Sequence, residues 1–142
     1  MTTKPLGYYL THIHNGLEQN FAALLGARDL TRRSWQILNT LRQEPADRAG
    51  LDRALAHFLD DQEPTVEPHV AALVERGWVR VAADGRYTPT DLGANETRAV
   101  AELIDGERAA VVEGLGPDGY DTLVRLLQRV SDNVDAVAAH RR

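Results

Sequence analysis

The chain has 142 residues, 43% hydrophobic and 26% charged, with a formal net charge of -5 and no cysteine. That length and balance describe one domain with a real core and exclude global disorder. Without cysteine there is no disulfide framework, thiolate metal site, cysteine nucleophile or thiol redox switch, which fits a cytoplasmic protein. No apolar run nears the roughly 20 residues of a membrane span, and the N-terminus lacks a signal-peptide core, so no membrane role is expected.

A first helix is predicted over 6–25. Leu6, Leu10, Ile13, Leu17, Phe21 and Leu24 recur at helical spacings as a narrow seam, and Gly26 and Asp29 mark its end. Thr31 is a suitable N-cap for a second helix over 31–43, with Trp35, Leu38 and Leu41 inward. Glu44-Pro45-Ala46-Asp47 breaks it. A third helix, 49–60, is expected on Leu51, Leu55, Phe58 and Leu59, and Asp60 to Pro64 form the turn after it.

The fourth helix places Val66, Val70 and Leu73 on one face and closes at Gly77. With Thr65 as N-cap, Pro68 falls in the first turn, where it breaks no backbone bond. Glu67 then lies near the positive end of the helix dipole. A strand from Val79 to Ala82 runs into Asp84-Gly85, a pair suited to a two-residue hairpin with positive φ at both central positions. The chain returns through Arg86-Tyr87-Thr88-Pro89. Helices followed by a hairpin in this order define a winged helix-turn-helix, which most often sets one helix in the major groove of DNA.

Thr90 caps a long fifth helix, about 90–114, on Thr97, Val100, Ala101, Ile104, Val111, Val112 and Leu115. Residues 114–119 break it, and a sixth helix over 118–139 carries Leu123, Val124, Leu127, Val130, Val134 and Val137. The fold class is therefore mainly α with a small β-hairpin wing. Residues 30–93 form the winged lobe, flanked by helical regions at 1–29 and 94–142. The flanking stripes suit either a bundle within one subunit or a two-fold interface between copies. The homodimer is the more economical, and its paired helices would match a palindromic operator on double-stranded DNA.

Charge sets a limit on this reading. Residues 30–93 carry eight arginines (32, 33, 42, 48, 53, 76, 80 and 86) against ten acids, so any DNA affinity rests on a few well-aimed side chains. Arg86, beside the hairpin glycine, suits a narrow minor groove. Arg53, Arg76 and Arg80 suit phosphate contacts that set register. His69 could donate to a base edge or phosphate, or be an ordinary surface histidine. His12 and His14 are two apart and cannot chelate one metal together on a helix, so neither metal nor cofactor is expected. No phosphate loop, nucleophile elbow or HExxH pair is present, and the chain is not expected to be an enzyme.

The ordered set Pro5-Leu6-Gly7-Tyr8, Trp35-Gln36-Ile37-Leu38, Pro64-Thr65-Val66, Leu73-Val74-Glu75-Arg76-Gly77, Asp84-Gly85-Arg86 and Thr90-Asp91-Leu92-Gly93 resembles the MarR family of dimeric winged-helix regulators over essentially the whole chain. The resemblance makes the fourth helix the recognition helix and assigns DNA contacts to Thr65, Glu67, His69 and Arg86, with Asp84 buttressing Arg86. It also implies a small aromatic effector between the dimer helices and the winged lobe, where Tyr8, Tyr9, His12, Trp35 and Asn39 would supply walls and polar hooks. The expected function is a sequence-specific transcriptional repressor released by that ligand. The alternative, suggested by overall acidity, is a winged-helix dimer that binds a ligand or protein and has little DNA affinity.

Overall fold

The computed structural model describes residues 3–142. The elements are α1 (Leu6–Gly26), α2 (Arg32–Leu41), α3 (Arg48–Ala54), α4 (Glu67–Glu75), β1 (Val79–Val81), β2 (Tyr87–Pro89), α5 (Asp91–Val111) and α6 (Gly116–His140). The chain divides into two compact units, Met1–Ile104 and Asp105–Arg142.

Local chemistry sets most boundaries in the first unit. Asp29 takes a left-handed conformation at φ 55, while Leu30 N–H bonds back to Leu25 and Asp29 N–H to Gly26. These two bonds satisfy carbonyls that the end of α1 would otherwise leave orphaned. Gly77, at φ 80, ends α4 in the same way, with Trp78 N–H on Leu73 and Gly77 N–H on Val74. Thr31 caps α2 by accepting from Ser34 N–H at 3.1 Å, and Asp47 caps α3 through Gly50 N–H at 2.8 Å.

The core joins Leu25 and Leu30 to Ile37, Leu38 and Leu41 of α2, Leu51 and Leu55, Val70 and Leu73 of α4, Trp78, and Val100 and Ile104 of α5. Gly93 lies so close to Trp78 that a β-carbon there would overlap the Trp78 carbonyl. That carbonyl also accepts from Thr90 N–H, and the Thr90 hydroxyl accepts from Gly93 N–H while donating to Gly77. Thr90 and Gly93 thus fasten α5 directly beneath the end of α4.

Three expectations are corrected. The third helix stops at Ala54 and tightens into a 3-10 turn over Ala56–Phe58, because Leu55 leaves the helical region at φ -107, ψ 16. Phe58 consequently points outward at 51% exposure rather than into the core. The wing turn lacks two positive φ values, since Gly85 alone has one. Gly85 N–H bonds to Ala82, and Ala82 N–H to Arg86, which makes a three-residue loop with a glycine bulge. Finally, the N-cap position of α4 is Val66, not Thr65.

A further strand contact was invisible in the sequence. Ala46, within the expected break after α2, exchanges two backbone bonds with Tyr87, so β2 is paired on both sides. Beyond the core, the seam of α1 is split. Leu25 is buried and Phe21 and Leu24 pack on the core, whereas Leu6, Leu10, Ile13 and Leu17 are exposed. In the second unit Leu123, Val124, Leu127, Val134 and Val137 of α6 are likewise exposed.

Candidate nucleic-acid interface

The first turn of α4 needs partners for its free amides, and Asp52 of α3 provides the main one. Its carboxylate accepts from Val66 N–H at 2.8 Å and from the Thr65 hydroxyl at 2.9 Å. The Thr65 oxygen in turn accepts from Glu67 N–H at 3.3 Å. Pro68 has no amide to satisfy. The expected start was one residue early because an acid 13 positions upstream does the work assigned to the threonine.

These bonds sort the expected contact residues. Thr65 is half-buried and engaged with Asp52. Glu67 is exposed and lies 3.5 Å from Arg48 Nη1, at the start of α3. His69 is partly buried, its Nε2 2.6 Å from Glu63 Oε1. Glu63 also lies 3.7 Å from Arg33, whose guanidinium donates to the Phe58 carbonyl at 2.6 Å and to Gln36 at 2.8 Å. Around them is a cleft of about 450 Å³ lined by Thr31, Arg32, Arg33, Gln36, Phe58, Glu63 and His69.

The arginines differ in the same way. Arg76 stacks over the Trp78 ring at 4.2 Å and donates to the Asp29 carbonyl at 2.8 Å, tying α4 to the end of α1. That bond gives it an internal role at its present position. Arg53 and Arg80 are exposed and have no side-chain partner among the described residues. On the wing, Asp84 accepts from Arg86 Nε at 2.8 Å and from Arg86 N–H at 3.0 Å. The backbone N–H first, then the side chain, hold the Asp84 carboxyl below its ordinary value. Arg86 is therefore exposed yet oriented.

Of the expected effector residues, three come together. Tyr8 and His12 stack with centroids 5.7 Å apart, and Tyr9 meets Tyr8 edge-on at 5.3 Å. Trp35 packs on the core, and Asn39 is exposed beside Arg42. No described contact joins the α1 trio to either. Sequence reasoning missed Asp52, Arg48, Arg33 and Glu63. For Glu63 the acidic run before Pro64 was the available signal, and for Asp52 there was none.

This arrangement of helix-turn-helix and hairpin is that of a winged-helix protein. No family model matches the chain, and no curated protein matches it. Solved structures do. The chain is similar to the reduced form of MarR from E. coli, with 21% identity, TM-score 0.66, and coverage of 91% of this chain and 95% of that one. It is also similar to MepR, a transcription regulator of the Staphylococcus aureus multidrug efflux pump MepA, with 18% identity, TM-score 0.71 and coverage of 92% and 99%. NadR in complex with 4-hydroxyphenylacetate matches at 20% identity, TM-score 0.63 and coverage of 94% and 99%. The fold is that of the MarR-family regulators. No helix among the described residues is long and apolar enough to cross a membrane.

Proposed function

We propose that this protein is a MarR-type transcriptional regulator that binds a palindromic DNA operator as a homodimer. The observation that carries this is the pairing of an outward-facing first turn of α4 with a wing whose Arg86 is held in place by Asp84. A helix in the major groove and an arginine in the adjacent minor groove make one continuous footprint. Arg53 and Arg80, exposed and without a side-chain partner among the described residues, would supply phosphate contacts.

Dimerisation is supported by the exposed apolar residues of α1 (Leu6, Leu10, Ile13, Leu17) and of α6, which water does not favour as isolated surface. Two copies meeting through these helices would present two α4 helices to one duplex. The stacked Tyr8 and His12 with Tyr9 beside them form the start of a site for a small aromatic effector, and NadR is a neighbour of known ligand. Repression relieved by that ligand is the regulatory scheme this implies.

A second function has an observation in its favour. Arg33, Arg48, Arg76 and Arg86 are all engaged with internal acceptors, which leaves few free positive charges. A winged-helix dimer binding a ligand or protein, with little affinity for DNA, fits that distribution. The deciding experiment is binding to DNA from the gene's own upstream region at several salt concentrations. A preference over unrelated duplex, with log affinity falling steeply against log salt, is the expected result. Equal, weak binding to both duplexes would favour the second function.

A further inference from the structure

The outward strip of α4 consists of Glu67, Pro68, Ala71, Ala72 and Glu75, all exposed, and of its two acids only Glu67 stands in the first turn. None of these side chains carries a hydrogen-bond donor. His69, the donor-bearing neighbour, is partly buried and committed to Glu63 at 2.6 Å. The carboxylate of Glu67 is also not needed to cap its own helix, because Asp52 and Thr65 already serve the first amides. Arg48 lies near one of its oxygens, Oε2, and the pair is more than half exposed, so it is solvated and weak.

A carboxylate can only accept. In the major groove the donors on base edges are cytosine N4 and adenine N6. Adenine N6 is flanked by acceptors on both sides, its own N7 and the O4 of the paired thymine. Cytosine N4 has such a neighbour on one side only, the O6 of guanine. A carboxylate therefore meets less repulsion at cytosine, and at guanine it meets acceptors alone. We propose that Glu67 is the residue of α4 that reads sequence, and that it selects cytosine at one position in each half-site. The inference rests on the DNA-binding function proposed above and adds the base chemistry.

The neighbours fit this assignment. Ala71 follows four residues later on the same face, about 6 Å along the helix axis, close to two base-pair rises. Its methyl suits the methyl of a thymine. Arg48 lies 3.5 Å from Oε2, and Oε1 has no partner among the described residues.

The test is selection from a randomised duplex pool by the full chain and by Glu67→Gln, an exposed substitution. The wild type should enrich cytosine at one position per half-site, with guanine there weakening binding by at least about tenfold. Glu67→Gln should shift that position to adenine, because an amide both donates and accepts and so matches N7 with N6. A motif that is enriched but identical for both proteins overturns the role of Glu67 and leaves the DNA-binding function standing. Enrichment of no motif by the wild type overturns that function and the inference with it.

Discussion

The two elements that would touch DNA are held in opposite ways. The first turn of α4 is fastened from outside, by Asp52 of α3, across an interval of 13 or 14 residues. The wing turn is fastened from within, by Asp84 on Arg86, two residues apart. The helix is therefore positioned by the fold as a whole, whereas the wing carries its own support. Damage to the core should move α4, and damage at the wing should stay there.

The sharpest way to break the first kind of support is Gly93→Ala, at the junction where α5 passes beneath Trp78. The clashing atom is backbone carbonyl, which cannot swing aside. A loss of about 3 kcal/mol is expected, the upper end of overpacking costs, read as a fall in melting temperature of about 10 °C. An unchanged melting temperature would show that α5 tolerates displacement at this point.

Asp52→Ala probes the helix more locally. It strips the acceptor from Val66 N–H and Thr65, which should cost about 1–2 kcal/mol by denaturant unfolding. Asp52→Asn keeps an acceptor and should recover part of that loss. If both variants unfold like the wild type, α4 is anchored by its buried face alone.

The wing should respond in affinity and titration but not in stability. Arg86→Ala removes an exposed side chain, so unfolding should change by less than about 0.5 kcal/mol while operator binding weakens. The Asp84 carboxyl, followed by NMR, should titrate below the same aspartate in an unfolded peptide. Because the folded value is the lower one, the charged contact contributes above the ordinary value. It is lost only as pH falls through the depressed one. Arg86→Ala should raise that midpoint only partway, since the backbone N–H, the larger cause, remains.

How legible each part was in the sequence follows from the same contrast. The Thr31 cap on Ser34, the Thr90 cap on Gly93 and the hairpin glycine's bond to Ala82 each span three residues, so their signals lie side by side in the chain. The Asp52 cap, the Ala46 pairing with Tyr87 and the Arg76 clamp on Asp29 join residues 13 to 47 positions apart, and no local pattern encodes them. Phe58 had the right spacing for a core residue, but the helix tightened at Leu55 and turned it outward. At the candidate interface, the sequence pointed to Glu67 and Arg86, which are exposed, and equally to Thr65 and His69, which are partly buried. It gave no account of which ones are already occupied, as His69 and Arg76 are.

The pairing of Ala46 with Tyr87 places β2 in the middle of the small sheet and leaves β1 as its rim. That rim exposes Val81, and a sheet edge is the kind of surface through which proteins can pair and aggregate. Only three residues long and charged at its centre by Arg80, it offers a poor template for such growth. The exposed charge of Arg80 disfavours edge-to-edge pairing at this rim, an effect that does not depend on any contact with DNA.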